Sequence, residues 1–121
     1  MPVVDIVKEF KIEAAHRLPN LPPTHKCHRL HGHSFRIEVR VRGPLDPTLG
    51  WVIDFADISK AFAPVFDALD HHYLNEVPGL ENPTSEVLAV WVWGRLAGAL
   101  PGIAEVVVHE TCTARCAYAG G

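Results

Sequence analysis

The chain lacks any apolar run approaching the roughly 20 residues needed to cross a bilayer. Its first residues, Met1-Pro2-Val3-Val4-Asp5, carry no apolar signal stretch behind a basic start. Cysteine is scarce and odd in number: Cys27, Cys112 and Cys116. No disulfide framework is expected, and the protein is read as cytoplasmic with reduced thiols. Basic excess is also missing, since 11 Lys plus Arg face 14 Asp plus Glu, a net charge of −3 with His neutral. That balance argues against nucleic-acid binding and leaves room only for a local basic pocket for an anionic substrate. There are no repeats, low-complexity runs or linkers, and 121 residues suit one domain over 1–121. An apolar fraction of 48% supports a real core and argues against disorder.

What the chain does have is histidine, eight of them, concentrated between His16 and His33 and at His71-His72. The stretch Cys27-His28-Arg29-Leu30-His31-Gly32-His33 sets a thiol before two histidines at alternate positions. If His31 and His33 open a β-strand, alternation turns both imidazoles to one face. Two converging imidazoles begin a zinc site, and His16 is the best candidate for the third ligand. Three neutral nitrogens with an open fourth position make the catalytic form of such a site. A structural site would instead fill the fourth position with Cys27. Cys112 and Cys116, at C-x3-C spacing, raise a redox or metal pair, but no second pair of cysteines accompanies them.

Alternating apolar residues predict a half-buried strand over Val3 to Ala15 and a second over His33 to Arg42. Between them, Leu18 to Lys26 carries Pro19, Pro22 and Pro23 and reads as a loop. Ile58, Phe62, Val65, Phe66 and Leu69 recur at helical spacing, so Asp57 to Leu69 reads as an amphipathic helix, with Pro64 predicting a kink or a late start. Val77 to Pro83 is a second loop. Thr84 or Ser85 can cap a second helix running to about Leu100, closed by Pro101-Gly102. Ile103 to Thr113, rich in β-branched residues, reads as a third strand, and Ala117 to Ala119 as part of a short fourth. The order ββααββ indicates an α+β fold, a four-stranded antiparallel sheet with two helices packed on one face. Exposed edges of so small a sheet invite oligomerisation.

Three further features bear on chemistry. Cys27, flanked by His25, Lys26, His28 and Arg29, is a candidate nucleophile or base rather than a packed thiol. Asp70-His71 offers an imidazole oriented by a carboxylate, the arrangement of a proton relay, although a bare Asp-His pair is more often solvated surface. Glu110, expected within the third strand, shares a parity with Val106 and Val108. A carboxylate on an apolar face needs an answering donor pair, such as the guanidine-like edge of a pterin or guanine, unless it is a strand-end Glu reaching solvent.

Taken together, Glu13-Ala14-Ala15-His16, Cys27-x3-His31-Gly32-His33, Leu69-Asp70-His71-His72-Tyr73-Leu74-Asn75, Glu81-Asn82-Pro83-Thr84-Ser85-Glu86 and Glu110-Thr111 occur in an order that resembles the 6-pyruvoyl-tetrahydropterin synthase family. The three residues between Cys27 and His31 look like its bacterial 6-carboxy-tetrahydropterin synthase branch in queuosine biosynthesis. The resemblance implies a tunnelling fold assembled as a homohexamer, a dimer of trimers. It implies Zn2+ on His16, His31 and His33, with Cys27, Asp70 and His71 catalytic and Glu110 holding the pterin. The implied reaction converts 7,8-dihydroneopterin triphosphate and water to 6-carboxy-5,6,7,8-tetrahydropterin, acetaldehyde and triphosphate, with no nucleic-acid or membrane partner. The alternatives are the 6-pyruvoyl synthase reaction on the same substrate and a non-catalytic zinc- or pterin-binding protein.

Overall fold

The computed structural model describes residues 1–121. Strand β1 spans Val3–His16 and β2 spans His31–Pro44, and they pair antiparallel over all 14 residues of β1. Alternation settles which way this ladder faces. Ile12 and Ala14 of β1 and Phe35, Ile37, Val39 and Val41 of β2 are buried, while Arg36, Glu38, Arg40 and Arg42 look the other way. β3 (Ile103–His109) pairs with β2, and β4 (Arg115–Tyr118) pairs with β3, giving the sheet order β1-β2-β3-β4.

Two helices cover the apolar face. α1 (Phe55–Leu69) is capped by Asp54, whose carboxylate accepts from the Ala56 N–H. It contributes Ile58, Phe62, Val65 and Leu69 to the core, and Phe62 stacks on Phe10 of β1 at 3.9 Å between ring centroids. α2 (Ser85–Leu96) is capped by Thr84 rather than Ser85, the Thr84 hydroxyl accepting from the Val87 N–H. It buries Leu88, Ala89, Val92 and Leu96. The architecture is α+β with both helices on one side. The open side of the sheet is a lattice of ion pairs, Asp5 with Arg40 and Arg42, Glu9 with Arg36, and Glu105 with Arg40, joined by a hydrogen bond between Glu38 and His109.

Several boundaries differ from expectation. β1 runs one residue past Ala15, and β2 runs two residues beyond His33 to Arg42 at each end, because the two strands pair along their whole length. α1 begins two residues earlier than Asp57, because Asp54 supplies the cap, and it runs through Pro64, whose ring sits on the exposed face. α2 ends at Leu96, not near Leu100. Gly98 weakens the helix and Pro101 disfavours helical backbone before it. β3 stops at His109, four residues short of Thr113, because the chain turns back there, with the Glu110 and Thr111 N–H groups donating to the Ala114 carbonyl. β4 therefore spans Arg115–Tyr118, taking in Ala117 and Tyr118 of the expected strand but stopping before Ala119. β-branched composition marks strand residues but not where a hairpin turns.

The turn after α2 is stitched to the sheet at Gly102, whose φ is +88° and whose carbonyl accepts from the Arg42 N–H at 2.9 Å. A Cβ there would sit 2.8 Å from the Arg42 carbonyl oxygen, whereas one at Gly98 meets open space. Gly102→Ala is expected to lose about 1–3 kcal/mol in urea unfolding. Gly98→Ala, measured in parallel, is expected to stay within about 0.5 kcal/mol of the parent or to exceed it.

Candidate metal centre

His16 ends β1 and stands directly across from His31, which opens β2; His33 pairs with Ala14. Residues 12, 14 and 16 and residues 31, 33 and 35 share the helix-side face, and cross-strand Cβ atoms lie about 4.5–5.5 Å apart. The pairing therefore gathers three imidazoles at one end of the sheet. Their ring centroids are 4.6 to 5.1 Å apart, and one nitrogen from each lies within 4.8 Å of the others. Phe35 packs edge-on beneath His16 and His33.

The tautomers follow from the neighbours. His16 Nδ1 lies 2.8 Å from the Pro83 carbonyl, and His31 Nδ1 lies 2.7 Å from the Arg29 carbonyl. A carbonyl only accepts, so each Nδ1 carries the hydrogen and each Nε2 presents a lone pair. His16 is fully buried, and its Nε2 has no hydrogen-bond partner. Burial depresses the His16 pKa, against the Pro83 hydrogen bond, and the two neighbouring imidazoles depress it further. Burial also depresses His33, partly offset by Glu110. The Nε2 lone pairs of His16 and His31, the depressed His16 and His33, and an unanswered buried nitrogen fit a metal ion. These three residues can hold one.

Glu110 lies just past the end of β3, at the first residue of the hairpin turn, not in the strand as expected. Its parity with Val106 and Val108 still delivers it to the helix-side face. There Oε1 lies 3.6 Å from His16 Nε2 and 3.7 Å from His33 Nε2. A cavity of about 220 Å³ adjoins it, lined by Ser85, Glu86, Glu110, Ala114, Arg115 and Cys116. The sequence marks Ser85 only as a possible cap and gives Glu86 no role; the capping Thr84 in front of them brings both to this cavity. A larger hollow of about 460 Å³ opens by α1 and residues 99–101, and none of the three clustered histidines lines it.

Asp70 and His71 dock on the outer edge of β1. Asp70 Oδ1 accepts from the Glu13 N–H at 2.9 Å, and the His71 N–H donates to the Glu13 carbonyl. Asp70 Oδ2 lies 2.7 Å from His71 Nδ1, and the His71 ring is otherwise open, 78% exposed. His71 adopts φ +57°, a left-handed conformation held by those edge bonds. The Glu13 N–H, then His71, hold Asp70 below the usual carboxylate range, and Asp70 raises His71.

Cys27 sits half-buried on a 3-10 turn, Lys26–His28. Its sulfur is outside the three-histidine cluster, and within one chain it hydrogen-bonds to neither Asp70 nor His71. Cys112 and Cys116 are free; burial, and then Glu86, raise the Cys116 thiol, and neither joins a metal cluster. The Asp70 contact sets a measurable property of His71. In NMR titration the His71 ring is expected to titrate above the ordinary histidine range, and Asp70→Asn to bring it back down. The charged pair stabilises the fold below the ordinary histidine pKa, and that contribution fades as pH rises through the raised value.

Residues 5–121 match the family described as 6-pyruvoyl tetrahydropterin synthase. The chain is 46% identical over 119 residues to the Synechocystis protein named 6-carboxy-5,6,7,8-tetrahydropterin synthase, covering 93% of this chain and 91% of that one. It is 35% identical over 97 residues to the dihydroneopterin monophosphate aldolase of Pyrococcus furiosus, covering 80% and 78%. The solved structure of the Caenorhabditis elegans 6-pyruvoyl tetrahydropterin synthase superposes with a TM-score of 0.92 at 30% identity, covering 100% of this chain and 98% of that one. With its sheet, its helices and nearly all of its length matched, the chain belongs to the 6-pyruvoyl tetrahydropterin synthase family.

Proposed function

We propose that this chain is a zinc-dependent 6-carboxy-5,6,7,8-tetrahydropterin synthase of queuosine biosynthesis, converting 7,8-dihydroneopterin triphosphate and water to the carboxypterin, acetaldehyde and triphosphate. The observation that carries the reading is the unanswered Nε2 of buried His16 beside the His31 and His33 rings, with the Glu110 carboxylate next to it, in a chain 46% identical to a protein of that name. His16, His31 and His33 are the proposed zinc ligands. Bound there, zinc would act as a Lewis acid that lowers the pKa of substrate hydroxyls.

The protein's own groups do the rest. The Glu110 carboxylate accepts the ring N–H and exocyclic amine of the pterin, two donors side by side. The Cys27 thiol takes or returns a proton at the substrate side chain, and His71, oriented by Asp70, exchanges protons at the same stage. Those shifts isomerise the side chain, expel triphosphate and set up carbon–carbon cleavage. The lack of any hydrogen bond between Cys27 and the exposed His71 within one chain supports a site shared between subunits, consistent with a homohexamer built as a dimer of trimers. Three free thiols suit a reducing, cytoplasmic setting.

Incubation with dihydroneopterin triphosphate tests the reading by product mass. Acetaldehyde with carboxypterin supports it, and a pyruvoyl product or an uncleaved side chain overturns it. His31→Ala is expected to lose zinc and turnover together. Cys27→Ala is expected to keep its zinc and lose turnover by about a hundredfold or more; zinc lost in parallel would make Cys27 a ligand.

Glu110→Gln keeps the shape of the side chain but turns a donor toward the ligand's donors. Pterin affinity, measured by calorimetry, is expected to fall about 10- to 100-fold, as for a lost charged hydrogen bond, at constant zinc content. Unchanged affinity would place the anchor elsewhere.

A further inference from the structure

His28 lies between Cys27 and the 29–31 segment, both already given parts, and the proposed reaction leaves it without one. It is also the most heavily hydrogen-bonded residue of its turn. Arg17 Nε donates to the His28 carbonyl at 3.2 Å, and Arg17 Nη2 lies 3.1 Å from His28 Nε2. A guanidinium cannot accept, so His28 Nε2 accepts. His28 Nδ1 then carries the hydrogen and donates to the Leu21 carbonyl at 3.0 Å. The Leu18 N–H donates to the Cys27 carbonyl at 2.8 Å. The thiol-bearing turn is thus held at both Cys27 and His28 from the residues directly after His16.

Arg17 is itself held. Its N–H donates to Asn75 Oδ1 at 3.0 Å, and Asn75 Nδ2 donates back to the Arg17 carbonyl at 2.8 Å and to the Glu81 carbonyl at 3.3 Å. Glu81 lies two residues before Pro83, whose carbonyl orients His16. Arg17 forms no ion pair with any carboxylate, unlike Arg36, Arg40 and Arg42 on the open face of the sheet. Its fork is committed to one carbonyl and one ring, a pair of bonds that a single ammonium cannot reproduce with the same geometry.

We propose that Arg17, braced by Asn75, is a positioning residue for the Cys27 thiol. Through His28 it locks the 3-10 turn in register with the histidine cluster, so that thiol and metal site keep one geometry. This inference rests on the catalytic reading of Cys27 given above. Positioned groups lose much of their effect when displaced by about an ångström.

The test uses zinc-loaded Arg17→Lys, which keeps charge and aliphatic stem. Amide hydrogen exchange is read at Leu18 and His28, with Phe10 and Ile12 of β1 as internal references, alongside zinc stoichiometry, kcat and KM. The expected result is exchange at the turn faster by about tenfold or more, with β1 and zinc unchanged. In the same protein kcat falls about tenfold or more while KM stays within about twofold. His28→Ala should show a smaller effect of the same kind and add little to Arg17→Lys in the double variant. Unchanged exchange at the turn overturns the clamp. Faster exchange with unchanged kcat, or with zinc lost, overturns the positioning role. A parent protein without turnover on dihydroneopterin triphosphate would sink the functional reading instead, and the exchange measurement would still decide the clamp.

Discussion

The antiparallel register of β1 against β2 is the constraint on which the rest depends. It sets His16 opposite His31 and Ala14 opposite His33, and it does so because Ile12, Ala14, Phe35 and Ile37 must all reach the same core. A slip of one residue would send every one of these side chains to the charged face. The burial that stabilises the sheet thus also assembles the imidazole cluster. The two demands cannot be separated, since the histidines simply continue the inward parity to the end of each strand.

That continuation has a cost. Three imidazoles crowd together, one of them fully buried with a nitrogen that nothing answers. Unsatisfied polar atoms of this kind cost about 1–3 kcal/mol. Native chains retain such groups chiefly where function uses them. Carbonyls from Pro83 and Arg29 fix both Nδ1 hydrogens before any ligand arrives. The site is therefore preorganised by the proline-bearing loops 17–30 and 77–84, and Asn75 ties those loops to each other.

The edge of β1 serves a second purpose. Edge strands carry unpaired backbone groups that invite aggregation. Here the N–H and carbonyl of Glu13 and the N–H of Ala15 are occupied by residues 70–72. The same bonds hold His71 in its left-handed conformation and turn its ring outward to solvent. A liability of the sheet becomes the mount for the Asp70-His71 pair.

Much of this was legible in the sequence. Period-two alternation located β1 and β2, helical spacing located α1, and the His-Gly-His run together with Glu13-Ala14-Ala15-His16 marked the cluster, because each is a local pattern with a local physical cause. Strand and helix ends were less legible. The end of β3 depends on a hairpin turn, the start of α1 on the Asp54 cap, and the passage of α1 through Pro64 on an outward-facing ring. Glu110 was assigned the correct face by parity and the wrong element by composition. The sequence alone determined the residue types at the site and the face on which they fall. Only the tertiary structure decided the partners that tune them: carbonyls of Pro83 and Arg29, the edge of β1 beneath Asp70, and Arg17 on His28. Those partners are set by long-range packing, and backbone carbonyls carry no signature in the residue string.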